Sequence, residues 1–332
     1  MSTLIVLTAA TLARGEPGYA EQAEALRPLA TTPAARAWLD EAARLPDFEP
    51  RSVYYRRTPE GTQAYSEDEY EQLPEDEREG LRTLEPAPAK RYYETMYGSP
   101  LAYLRAIDLG AKNLAQDGQP FSLEGARVFD LGFGQLGQLR MLAQAGAHAV
   151  GADPDPILRA MYSRPGDTGP VEREGGPDGS VTLVHDLWPA DESARERVGA
   201  DFDLIIARNL LKTGYLHPPQ ETPAYTQVHF GVPDADLLRA LHDALRPGGV
   251  LVVYTLGGKY EPPGEDYSPS SDIANPWTRE EWEDAGFEVI AQDAPEDDMA
   301  RKVGAALKWD EMGMNLQHHL FGVYSIYRRP AQ

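Results

Sequence analysis

The chain has 332 residues, 42% of them apolar, enough to bury a core for one large α/β domain and a smaller appendage. Acidic residues outnumber basic ones by 53 to 31, a net charge of −22, so a nucleic-acid backbone or an anionic membrane would be repelled over most of the surface. The absence of cysteine rules out disulfides and thiolate metal sites, and no metal site is expected.

Leu4 to Leu12 is apolar, but no Lys or Arg precedes it and it is too short to span a bilayer; it reads as a buried strand or short helix. Residues 1–90 read as a helical extension broken by prolines. Thr32-Pro33 opens a helix that Pro46 closes, and Ser66 with Glu69 fits a capping box. Tyr54, Tyr55, Tyr65 and Tyr70 mark a packed segment, either a structural appendage or a cap over a substrate. Ala89 to Gln116 is amphipathic and breaks at Gly98-Ser99-Pro100, as two helices meeting at a bend would.

From Arg127 onward, short apolar runs alternate with helical segments, the pattern of a parallel sheet covered on both faces. Seven strands are expected: Ala126 to Leu131, His148 to Asp153, Val181 to His185, Phe202 to Arg208, Gly249 to Thr255, Glu288 to Gln292 and Leu320 to Arg328. Helices are expected at Leu136 to Ala145, Ile157 to Tyr162, Ala194 to Val198, Asp234 to Leu245 and Thr278 to Ala285, the last opened by a Thr278/Glu281 capping box. The fold class is therefore α/β, a doubly wound and mostly parallel sheet over residues 91–332, with the helical extension before it.

The first strand runs into Asp130-Leu131-Gly132-Phe133-Gly134, and a helix follows at once. Glycine lets the chain turn sharply and a ligand approach its backbone, but such a run also marks nicotinamide and flavin sites. Asp130 discriminates. A carboxylate two residues before the first glycine suits a ligand with a positive amino group and would repel a pyrophosphate. Asp153, 21 residues beyond Gly132, stands where an acid can accept both hydroxyls of a ribose. The third strand ends at His185-Asp186-Leu187, offering a carboxylate to an adenine amino group and an apolar side chain to its ring.

With the strand Phe202-Asp203-Leu204-Ile205-Ile206 and the turn Leu245-Arg246-Pro247-Gly248-Gly249, these motifs resemble the class I S-adenosylmethionine-dependent methyltransferases over roughly residues 90–330. The resemblance implies S-adenosylmethionine as cofactor, S-adenosylhomocysteine as product, a last strand antiparallel to the rest and a cytoplasmic protein. It assigns the methionine portion to Asp130, Gly132, Phe133 and Gly134, the ribose to Asp153, and the adenine to Asp186 and Leu187. The third glycine falls at Gly137, where the family has it one position earlier, at the place of Leu136.

After the fourth strand, Arg208 and Asn209 lie where residues touch both cofactor and acceptor. Asn209 either orients the nucleophile or caps the next helix. Tyr215 and His217 are the candidate orienter and base, with His229 a second candidate. The Pro-, Gly- and Ser-rich insert from Gly257 to Trp277 reads as a lid. The reading is methyl transfer to an O or N atom of a small-molecule acceptor; the alternative is a catalytically silent protein that binds an adenosyl ligand or a partner on the same fold.

Overall fold

The computed structural model describes residues 18–48, 51–58, 61–84, 92–94, 98–115, 118–173 and 175–331. The apolar stretch Leu4 to Leu12 and the boundary near residue 90 lie outside them. The extension opens with helices α1 (Tyr19–Leu26) and α2 (Pro33–Asp40), the latter capped by the Thr32 hydroxyl, which accepts the Ala35 N–H at 3.2 Å. It is not helical throughout. Strands β1 (Val53–Thr58), β2 (Gly61–Ser66) and β3 (Arg82–Leu84) form an antiparallel sheet in the order β2-β1-β3. The sequence Val53-Tyr54-Tyr55 is β-branched and aromatic, a composition that fits a pleated surface better than a helix. Tyr54 stacks on Tyr70 of α3 (Glu67–Gln72), a helix opened by the expected reciprocal Ser66/Glu69 box.

The bend at Ser99 leads through the turn Pro100–Tyr103 into α4 (Leu104–Leu114). The main sheet is then laid down by β4 (Arg127–Leu131), α5 (Gly137–Gln144), β5 (His148–Ala152), α6 (Pro156–Met161), β6 (Gly169–Val171), β7 (Gly179–Val184), α7 (Glu192–Val198), β8 (Phe202–Arg208), α8 (Asp234–Ala244), β9 (Leu245–Gly257), α9 (Arg279–Asp284), β10 (Glu288–Pro295), α10 (Asp297–Ala306) and β11 (Phe321–Arg328). Strand order is β10-β11-β9-β8-β4-β5-β7-β6. The expected seven strands are present, and β6 adds an eighth, antiparallel to β7 at the outer edge. β4, β5, β7, β8 and β9 are parallel neighbours, whereas β11 runs antiparallel to both β9 and β10.

Strand β9 begins at Leu245, earlier than the expected Gly249, because the Arg-Pro-Gly-Gly segment is taken into the strand as a bulge: Phe202 pairs with Leu245, but Leu204 pairs with Val250. Gly248 takes a left-handed φ of 78° there, and Arg246 pairs with Asp203 at 2.5 Å.

Alternation along the strands divides the core. Val128, Leu204, Ile206, Val250 and Val252 face α4, α5 and the extension, while Phe129, Ile205, Leu251 and Val253 face α7, α8 and α9. Trp38 and Leu39 of α2 are fully buried in the first of these cores, so the extension shares it with the sheet. A buried carboxylate fixes the docking. Asp108 of α4 accepts the Thr31 and Thr32 N–H groups and the Thr31 hydroxyl, and pairs with Arg105, which also holds Glu296.

Candidate functional site

The winding of the sheet reverses between β4 and β8, and in open α/β sheets ligands bind outside the carboxyl ends of the strands at such a switch point. Asp130 is the penultimate residue of β4 and Arg208 ends β8. Asp130 pairs in register with Ile206, and alternation sets Asp130 and Arg208 on the same face as the extension. Asp130 is completely buried; its Oδ2 accepts the Gln138 Nε2–H at 2.8 Å, and its Oδ1 makes no hydrogen bond. Burial pushes its carboxyl up to about 7, against the opposing pull of Gln138, the Tyr103 hydroxyl and Arg208. Arg208 is 8% exposed, lies 5.2 Å over the Tyr103 ring, and leaves its Nε unpaired.

The glycine turn follows β4. Gly132 and Gly134 both have left-handed φ, 71° and 58°, which other residues resist. Gly134 donates its N–H to Asp153 Oδ2 at 3.1 Å, and Asp153 Oδ1 accepts the Asp155 N–H at 3.0 Å. Burial pushes the Asp153 carboxyl up to about 6. The Phe133 side chain is not at the open edge. It is fully buried against Gly151, and only its backbone is available to the turn, its carbonyl accepting from Gln138.

At the third strand end, Asp186 pairs with Arg197 of α7 at 3.0 Å, and Leu187 packs under Gly231. Between these and the turn stands His185, whose ring is 5.9 Å from Phe133. Burial lowers it to about 4, against a weak pull from the Asp153 backbone, so it is neutral, and neither ring nitrogen makes a hydrogen bond of good geometry. His185, Gln135 and Gln138 were not singled out from sequence. His185 adjoins the flagged Asp186, and Gln138 sits in the first turn after the glycines, so position alone could have drawn attention to them.

Among the described residues, Asp130, Gln135, Gln138, His185 and Arg208 together carry seven buried side-chain N and O atoms with no hydrogen-bond partner. Each such atom is costly unless a ligand or an ordered water completes its bonding, by about 1–3 kcal/mol. Their concentration around one turn fits a polar ligand with an amino group, hydroxyls and a heterocycle. A cavity of about 370 Å³ lined by Thr168, Pro170, Ser180, Thr182 and Arg197 lies along β6 and β7 and shares no residue with this turn.

The loop after β8 departs further from expectation. Asn209 takes a left-handed φ of 56°, and its Oδ1 accepts the Leu256 N–H at 2.6 Å; it ties β8 to β9 and neither caps a helix nor has that oxygen free. His217 is 46% exposed and pairs with Asp234 at 2.8 Å on the surface, and His229 is exposed. Tyr215 is partly buried with Lys212 Nζ 4.1 Å from its ring centre. Lys212, absent from the sequence reading because it belongs to no motif, is 2% exposed and donates to the Ser270 carbonyl at 2.9 Å. The insert lies firmly over this loop. Thr213 N–H donates to Ala274 O and Gly214 N–H to Asp272 O, and Gly214 lets the backbone of Pro269 approach so closely that a Cβ would stand 2.0 Å from its carbonyl oxygen.

No family model matches the chain, and no curated protein matches it. Among solved structures, it is similar to phosphoethanolamine N-methyltransferase 2 of Haemonchus contortus bound to S-adenosyl-L-methionine, at 14% identity and a TM-score of 0.37 over 75% of this chain and 63% of that one. It is similar to a TehB-like SAM-dependent methyltransferase of Corynebacterium glutamicum, at 20% identity and a TM-score of 0.32 over 62% and 81%. It is also similar to the [4+2]-cyclase SpnF, at 16% identity and a TM-score of 0.35 over 69% and 81%. The fold itself rests on strand order and direction: a doubly wound parallel sheet with an antiparallel strand inserted beside β9, as the sequence resemblance to class I methyltransferases implied.

Proposed function

We propose that the protein is an S-adenosylmethionine-dependent methyltransferase acting on an O or N atom of a small molecule. The observation that carries the reading is the placement of Asp130 and Arg208, a buried acid and a buried guanidinium on one face of the sheet across the switch point, each with an unpaired atom. Opposite charges so placed suit an α-amino acid group, with Asp130 accepting from its ammonium and Arg208 donating to its carboxylate. Asp153 would accept from ribose hydroxyls while still propping Gly134. Asp186, Leu187 and the neutral His185 would meet the adenine, the imidazole being able to donate from one nitrogen and accept at the other.

The cofactor supplies an electrophilic methyl group on a positively charged sulfur. What the chain must provide is alignment and exclusion of water, and effective concentration can lower such a barrier by several kcal/mol. The insert, hydrogen-bonded to the loop after β8, supports that role by covering the acceptor edge.

Calorimetric titration with S-adenosylhomocysteine, S-adenosylmethionine and NAD tests the reading. Micromolar binding of the adenosyl ligands, weakened at least tenfold in Asp130→Asn and Asp153→Ala, is expected. Binding of NAD alone would overturn it. Adenosyl-ligand binding without turnover of any acceptor amine or hydroxyl would favour the silent protein, a reading supported by the absence of His217 from the covered edge.

A further inference from the structure

Arg208 and Lys212 are buried cations four residues apart at one edge of the sheet, 8% and 2% exposed, in a protein whose net charge is −22. Among the described residues neither forms an ion pair: Arg208 lies over the Tyr103 ring, and Lys212 has the Ser270 carbonyl and the face of Tyr215. The buried acid on the insert, Asp272, is engaged by the Tyr267 hydroxyl at 3.0 Å and stays beyond ion-pairing distance of Lys212. A buried ammonium with one carbonyl and an aromatic face is incompletely compensated.

The charges of the proposed cofactor do not remove this surplus. Its ammonium and carboxylate are matched by Asp130 and Arg208, which leaves Lys212 with Asp272, already engaged by Tyr267 and too far for an ion pair, as its acidic neighbour. We infer that Lys212 forms a subsite for an anionic group, a carboxylate or a phosphate, carried by the acceptor, with Arg208 adding only to the positive field around it. The inference rests on the methyltransferase reading for the place of the acceptor, but the subsite can be tested apart from it. Burial, reinforced by Arg208 and opposed by Asp272, holds Lys212 down to about 7. An anion settling beside it restores the ammonium, so binding above neutrality draws in a proton.

The test is calorimetric titration of the full-length protein, with and without saturating S-adenosylhomocysteine, using sodium acetate and inorganic phosphate separately. Each is run at pH 6 and pH 8, in two buffers of different ionisation enthalpy. Saturable binding of at least one anion is expected, and for acetate, which is ionised throughout this range, uptake of about one proton at pH 8 and a small fraction of one at pH 6; for phosphate the proton exchanged by the anion itself is subtracted using the Lys212→Arg variant. Lys212→Met should weaken it at least tenfold, while Lys212→Arg, which keeps the charge, should stay within about threefold. Which of acetate and phosphate binds tighter tells which group the acceptor carries. Undiminished binding in Lys212→Met, equal loss in both variants, or no saturable binding to wild-type protein would overturn the subsite. Lys212-dependent anion binding by a protein that fails to take S-adenosylhomocysteine would uphold the subsite and reject the methyltransferase reading.

Discussion

Asp153 Oδ2 accepts the Gly134 N–H at 3.1 Å, so the acid that the sequence assigns to a ribose is also a strut of the glycine turn. Its other oxygen holds the Asp155 N–H. Asp153→Ala would remove the acceptor of both these hydrogen bonds, and the expected loss is about 1–3 kcal/mol of folding stability besides the loss of adenosyl-ligand affinity. Asp153→Asn keeps one acceptor and should lose less. Urea unfolding of both variants without ligand checks this; equal stability of wild type and Asp153→Ala would show that the strut contributes nothing.

Burial raises Asp130 to about 7 and Asp153 to about 6, both well above an ordinary carboxylate. An acid whose pKa is higher folded than unfolded binds its proton more tightly in the native state. Stability without ligand should therefore fall as pH rises from about 4 to about 7 on account of these two groups, and then level off. Asp130→Asn removes the larger share. It should make the ligand-free protein more stable at pH 8, by on the order of 2 kcal/mol, while weakening adenosyl-ligand binding. A melting-temperature profile from pH 4 to pH 8 for the two proteins decides; parallel profiles would sink the expectation.

Where sequence and structure agree, the signal was local. The Ser66/Glu69 and Thr278/Glu281 boxes form as read, since each needs only its own four residues. Apolar runs such as Phe202-Asp203-Leu204-Ile205-Ile206 became strands because both faces of the sheet are covered. What was missed depends on distant partners. Strands β1 to β3 pair with one another across a proline- and acid-rich stretch whose composition looked helical. The fate of Asn209 was set by Leu256, 47 positions away, and the role of Lys212 by a carbonyl at Ser270. Asp130 and Asp153 drew notice by their spacing from Gly132, whereas His185, Gln135 and Gln138 stand out only once their neighbours fail to satisfy them.

Asp108 gathers three donors of the extension and Arg105 at a site where it is itself fully buried. Asp108→Ala leaves a buried guanidinium with Glu296 as its remaining partner and strips the Thr31-Thr32 turn of its acceptor. Removing one member of a buried pair typically costs about 3–5 kcal/mol. The extension should loosen before the sheet unfolds, so limited proteolysis is expected to cut within residues 18–48 of the variant under conditions that leave wild type intact. Wild-type resistance in the variant would mean that Trp38 and Leu39 hold the extension without this bridge.

His217 is the sequence-designated base, yet it sits half-exposed on Asp234, an arrangement that contributes about 0–1 kcal/mol to stability. His217→Ala should leave adenosyl-ligand affinity within about twofold of wild type and, once an acceptor is known, change kcat/KM by less than about threefold, under 1 kcal/mol of transition-state energy. A fall in kcat of a hundredfold or more would return His217 to the chemistry and require the loop after β8 to rearrange when the acceptor binds.

Gly214 tests whether the insert is a fixed cover or a free lid. A Cβ there would stand 2.0 Å from the Pro269 carbonyl oxygen, and both groups are backbone, so neither can swing aside as a side chain would. Gly214→Ala must push the insert off the loop, breaking the Thr213–Ala274 and Gly214–Asp272 hydrogen bonds and drawing Ser270 away from Lys212 Nζ. Overpacking of this kind costs about 1–3 kcal/mol. The effect should be local. Hydrogen exchange over residues 257–277 is expected to rise while that of β4, β5 and β8 stays unchanged, and Lys212, better hydrated, should titrate higher than in wild type. Unaltered exchange across the insert would mean that the cover tolerates an ångström-scale shift without opening, and water exclusion would then have to come from the extension on the other side of the switch point.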